Sequence, residues 1–117
     1  MKIKDLVGKF SIIGKNQDEE ENSYQGTLSI TLDENNRIVA HWLIDATQEQ
    51  FGMGFFKNNI LVINFNYIGY ENKIYKGVVV YKCLTKDILE GFWSEDLGNP
   101  KFLGKENCFR IKKDVIN

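Results

Sequence analysis

A chain of 117 residues with 43% hydrophobic and 26% charged content reads as one globular domain, residues 1–117, able to bury a core without disulfide staples. A formal net charge of −1 excludes the long-range attraction that nucleic acid or anionic lipid would need. No apolar run approaches the roughly 20 residues that cross a bilayer, and Met1 to Asp5 opens no signal-peptide core, so the chain as written is expected to be soluble and cytoplasmic.

Leu6 to Ile13 is the first strand candidate, with Gly8 two places before Phe10 and Gly14 closing it. The carboxylate run Asp18 to Glu21 follows. It lacks the turn glycines that interleave the ligands of a metal loop, so it reads as a solvated loop and no metal is expected. Ser23 to Leu32 alternates strictly: Tyr24, Gly26, Leu28, Ile30 and Leu32 share one face, and Gln25, Thr27, Ser29 and Thr31 the other. Asp33 to Asn36 makes the turn into Arg37 to Asp45, where Ile38, Ala40, Trp42 and Ile44 face in and Arg37, His41 and Asp45 face out.

Glu49 to Phe56 is the fourth strand, with Phe51, Met53 and Phe55 alternating with Gly52 and Gly54; Phe51 and Phe55 are expected inside. Lys57-Asn58-Asn59 turns the chain into Ile60 to Tyr67, with Leu61, Ile63, Phe65 and Tyr67 on one face. Tyr75 to Leu84 and Ile88 to Glu95 form a hairpin about Thr85-Lys86-Asp87. Tyr75, Gly77, Val79 and Tyr81 on its first arm are answered by Leu89, Gly91 and Trp93 on its second. A loop from Asp96 to Pro100 precedes the last strand, roughly Phe102 to Lys112, and Lys113 to Asn117 is expected to fray.

About eight strands at a spacing of roughly 10–14 residues, with short turns and no helix, make an antiparallel meander. Left open, it would expose two edges; closing it removes them. The expected fold is all-β, a single up-and-down β-barrel, with a two-sheet β-sandwich as the alternative.

The pattern Gly8-x-Phe10, Tyr24-x-Gly26-x-Leu28-x-Ile30, Trp42-x-Ile44, Gly52-x-Gly54, Gly91-x-Trp93 and Gly104-Lys105-Glu106 up to Arg110 resembles a group of small, uncharacterised bacterial β-barrel proteins. That group is similar to the calycin superfamily of lipocalins, avidins and fatty-acid-binding proteins. Calycins open with Gly-x-Trp and lay an arginine of the final strand across the ring. The resemblance implies that Arg110 covers Phe10 and plugs one barrel end, a cation–π contact of order 0.5–2 kcal/mol. Phenylalanine stands here in place of the tryptophan, and the lipocalin Thr-Asp-Tyr signature is absent.

Catalytic chemistry finds little support. His41 is the sole histidine, and Asp45 on the same strand face lies ~13 Å away, beyond a direct hydrogen bond. One histidine and the unspaced Cys83 and Cys108 do not make a zinc site; the cysteines read as buried thiols. Glu90, Glu95 and Glu106 are expected in water. No enzyme and no cofactor are expected, and an enzyme would require a polar cluster with shifted ionisation inside the barrel. Seven expected inward rings (Tyr24, Trp42, Phe51, Phe55, Phe65, Tyr81 and Trp93) against Gly26, Gly77 and Gly91 favour a filled or nearly filled interior, with a small pocket at one mouth still compatible.

The expected function is non-enzymatic: binding of a small apolar or amphipathic molecule at the barrel mouth by Tyr24, Trp42, Phe65, Tyr81 and Trp93. The alternative is a protein-interaction or oligomerisation scaffold, including a homodimer through the outward apolar residues Val39, Leu43, Val62, Val78, Val80 and Phe92.

Overall fold

Period-two alternation through most of the chain commits it to strands, and the polar turns between them set the order in which they pair. The computed structural model describes residues 1–112. Its strands are β1 (Gly8–Lys15), β2 (Ser23–Leu32), β3 (Ile38–Ile44), β4 (Gln48–Lys57), β5 (Ile60–Ile68), β6 (Ile74–Thr85), β7 (Ile88–Glu95) and β8 (Gly104–Arg110). Each pairs antiparallel with the next, and β8 returns to β1 through Phe10–Arg110, Ile12–Cys108 and Gly14–Glu106, closing the barrel. The two-sheet sandwich is thereby excluded.

Turn chemistry explains the register. Asn58 and Asn59 both adopt the left-handed backbone (φ 52° and 62°) that a two-residue hairpin demands, which pins Lys57 opposite Ile60. The Asp33 carboxylate accepts from the amides of Asn35 and Arg37, holding the β2–β3 turn while Asn36 takes φ 60°.

The two barrel ends differ. At the first, a 3-10 turn (Ile3–Leu6) folds across the opening and buries Leu6. It spans the start that the alternation assigns to the first strand, so β1 begins two residues later, at Gly8. The last strand is likewise shorter than expected, ending at Arg110. Lys113 to Asn117, expected to fray, lie outside the described residues. The second end carries the β1–β2, β3–β4, β5–β6 and β7–β8 connections and stays open.

The core between them is made by Phe10, Ile12, Leu28, Ile30, Ile38, Ala40, Leu61, Ile63 and Leu89, all essentially inaccessible to solvent. Cys83 and Cys108 are buried free thiols on strands separated by β7. Burial pushes the Cys83 thiol up to about 11.

One strand has the opposite phase to that expected. In β4, Phe51, Met53 and Phe55 face solvent, and Gly52, Gly54 and Phe56 face in. The cause is crowding on the inner surface. A Cβ on Gly54 would collide with the Val62 carbonyl oxygen, and one on Gly52 would press on Ile63 and the Trp42 ring. Glycine here lets the coiled strand approach its neighbours, so the rings belong outside.

Candidate functional site

The inner faces of β2, β3, β6, β7 and β8 converge below the open end, and period two decides what they deliver. Gly104, Glu106, Cys108 and Arg110 share one face of β8, so the strand that plugs one end with Arg110 also carries Glu106 into the middle of the barrel. Glu106 is 4% exposed. The expectation that it sits in water is corrected: β8 closes the cylinder, has no free edge, and turns Glu106 inward.

Around this carboxyl the ring-tip polar groups assemble. Tyr24 Oη donates to Glu106 Oε1 at 2.8 Å, while Oε2 accepts from Tyr81 Oη and from Trp42 Nε1 at 3.2 Å. Trp93 Nε1 donates to Tyr24 Oη at 2.9 Å, and Cys108 Sγ lies 3.9 Å from Oε2. Every buried side-chain nitrogen and oxygen among the described residues has a partner. Burial raises the Glu106 carboxyl above its ordinary value, against the hydrogen bonds from Tyr81, Tyr24, Trp42 and Cys108, which pull it back. Burial, then the facing Glu106 charge, also raises the Tyr81 and Tyr24 hydroxyls, so both remain donors.

Above this floor opens a cavity of about 390 Å³. Tyr24, Trp42, Phe65, Tyr81 and Trp93 all line it. Trp42 and Trp93 meet Phe65 edge-on, with centroids 6.1 and 6.2 Å apart, and Tyr67 stacks between Phe65 and Tyr75. The expectation of a filled or nearly filled interior is corrected with β4: with Phe51 and Phe55 outside, five of the seven rings remain within and line the space instead of filling it. The compatible pocket at one mouth is what forms.

Two loops frame the mouth through a residue the sequence does not flag. Gln17, 7% exposed, donates from Nε2 to Ser94 Oγ and to the carbonyls of Asn99 and Phe102, and its Oε1 accepts from the Glu95 amide. It ties the β1–β2 loop to the β7–β8 loop. No alternation reaches into loops, so only the presence of an uncharged amide beside four acids distinguishes it in the sequence. Asp45 is also repositioned: it lies past the end of β3 at φ 50° and lines the mouth instead of the outer strand face.

At the plugged end the Arg110 guanidinium carbon sits 4.6 Å from the centre of the Phe10 ring. Its nitrogens donate to the carbonyls of Val7, Asp5 and Lys86 and to the Asp87 carboxylate. His41 lies outside the barrel, its ring centroid 5.0 Å from that of Phe51 and Nε2 4.0 Å from Glu49. No group of three or more metal-ligating side chains occurs among the described residues.

Charge is segregated between the ends. The connections and strand ends at the mouth, residues 15–23, 45–49, 68–74 and 95–104, hold nine carboxylates (Asp18 to Glu21, Asp45, Glu49, Glu71, Glu95 and Asp96) against Lys15, Lys73 and Lys101. The plugged end, residues 1–8, 32–38, 57–60, 85–88 and 109–112, holds Lys2, Lys4, Arg37, Lys57, Lys86, Arg110 and Lys112 against Asp5, Asp33, Glu34 and Asp87.

Fold and cavity together define a small closed antiparallel barrel with one sealed and one open end. No known family profile matches the chain, and neither does the sequence of any curated protein. Solved structures do resemble it. A redesigned β-barrel superposes with a TM-score of 0.76 at 12% identity, over 94% of this chain and 95% of that one. Another redesigned barrel, bound to DFHBI, gives 0.68 at 17% identity, over 91% and 99%. A protein of unknown function of the DUF3598 family from Nostoc punctiforme gives 0.54 at 13% identity, over 95% of this chain and 49% of that one. At these identities the likeness is one of fold.

Proposed function

We propose that this protein is a non-enzymatic binding barrel that takes up a small apolar or amphipathic molecule through its open mouth. The observation that carries this reading is the 390 Å³ cavity walled by Tyr24, Trp42, Phe65, Tyr81 and Trp93, of the size and lining that small-molecule sites have. A structural neighbour, a redesigned β-barrel bound to DFHBI, supports it. The Arg110–Phe10 contact behind Gly8 also supports a calycin-like reading of the barrel.

Glu106 meets one requirement of an acid–base catalyst, desolvation, yet both its oxygens already accept hydrogen bonds from ring tips. It organises the cavity floor, and its titratable neighbours Tyr24, Tyr81 and Cys108 are all pushed up by burial and hold their protons, so no ionised base is paired with it to share a reaction. Native mass spectrometry of the purified protein, with titration by phenylbutanol followed through tryptophan emission, tests the binding reading. A saturable signal is expected; no co-purified molecule and no saturation would defeat it.

A second reading has its own observation. Phe55, Val62, Val80 and Phe92 stand opposite one another in register across β4 to β7 on the outer surface, with Phe55 62% and Phe92 48% exposed. Such a stripe suits a partner, including a second copy. Light scattering coupled to gel filtration tests the homodimer: a monomer at high concentration removes it.

A further inference from the structure

We propose that the cavity selects a small organic cation, an ammonium group on an apolar or aromatic body, over neutral and anionic molecules of the same shape. The proposal rests on the reading of the barrel as a small-molecule binder and adds the chemistry of its ligand.

The ring-walled space behind the mouth is what could make the carboxylates there a site, because surface carboxylates alone attract only water. Tryptophan and tyrosine rings present negative π faces, and besides Tyr67, whose ring stacks between Phe65 and Tyr75, four of the cavity's rings are of these types that hold cations best: Tyr24, Trp42, Tyr81 and Trp93. The formal charge lining the same space is of one sign. Asp18, Asp45 and Glu95 stand at the mouth, and among the described residues no lysine, arginine or histidine lines the cavity.

The mouth carboxylates retain acceptor capacity. Asp18 Oδ1 takes the Glu21 amide, Asp45 Oδ1 the Gln25 amide, and Glu95 Oε2 the Tyr67 hydroxyl. The second oxygen of each accepts no hydrogen bond among the described residues. An ammonium entering here finds free charged acceptors with aromatic faces behind them; a carboxylate finds repulsion. An alcohol gains the apolar burial alone.

Phenylbutylamine, phenylbutanol and phenylbutyrate share one body and differ in head-group charge. Trp42 and Trp93 are the only tryptophans and both line the cavity, so their emission reports occupancy. The amine is expected to bind the wild-type protein at least about tenfold more tightly than the alcohol, and the butyrate least of all. In the triple variant Asp18→Asn, Asp45→Asn, Glu95→Gln each amide keeps the oxygen that accepts the existing hydrogen bond. There the amine should lose about tenfold while the alcohol stays within about twofold.

The wild-type comparison stands without the variant. Alcohol or butyrate binding as tightly as the amine overturns the cation proposal and leaves small-molecule binding intact. Failure of all three probes overturns both.

Discussion

At Glu106 the ordinary value of 4.5 is raised because burial costs the charged form more than its donors return. The folded carboxyl therefore keeps its proton at pH values where the unfolded chain has released it. Stability from this source is complete below the unfolded midpoint and declines as pH rises through the folded one. Glu106→Gln keeps an acceptor for Tyr81 and Trp42 but cannot titrate. The unfolding free energy of wild type minus that of the variant should fall by about 1.4 kcal/mol for each unit separating the two midpoints. Chemical denaturation from about pH 4 to about pH 9 measures it. A difference flat across that range would mean that the carboxyl titrates alike in both states. The position of Glu106 was legible: once Arg110 is laid on Phe10, period two places Cys108, Glu106 and Gly104 inside. Its desolvation was not, because that depends on β1 and β7 closing over β8. The phase of β4 was hidden for a similar reason, since Phe51-Gly52-Met53-Gly54-Phe55 alternates equally well either way and only the crowding around Trp42 and Ile63 decides.

Among elements, the 3-10 turn is tied to the barrel by a side chain from the far end of the sequence as well as by Leu6 burial. Arg110 reaches Asp5 and Val7 on one side and Lys86 and Asp87 on the other, spanning the N-terminal segment and the β6–β7 turn. A lysine ammonium lacks the planar fork needed to serve these acceptors together. Arg110→Lys is expected to cost about 1–3 kcal/mol and to speed amide exchange over residues 2–8 before the strands. Unchanged exchange there would show that Leu6 burial alone holds the turn. The opposite end has its own tie in Gln17. Gln17→Ala would strand the Glu95 amide and loosen the β7–β8 connection, with faster exchange at residues 94–103 and about 1–2 kcal/mol lost. The strand order and most boundaries could be read from alternation and turn residues. The two ties could not, because each joins elements roughly 80 to 105 residues apart in the chain and neither follows a period.

For the molecule as a whole, a net charge of −1 conceals an axial dipole, with an acidic mouth and a basic plug. The excess of carboxylates surrounds the only opening to the cavity among the described residues, so the field is directed along the path a ligand takes. Steering of this kind acts on the association rate and is screened as the Debye length shrinks from about 30 Å at 0.01 M ionic strength to about 8 Å at 0.15 M. The association rate of phenylbutylamine, followed by stopped-flow tryptophan emission, should therefore fall several-fold over that range, whereas that of phenylbutanol should hold constant. Salt-induced loosening of the barrel would slow both probes alike, so the ratio of the two rates isolates the field. A ratio unaffected by salt would mean that the carboxylates at the mouth act only after contact. Asp18→Asn, Asp45→Asn and Glu95→Gln together should shift the amine toward the salt-independent behaviour of the alcohol. Burial in the ring-walled cavity would then be left as the term the two probes share.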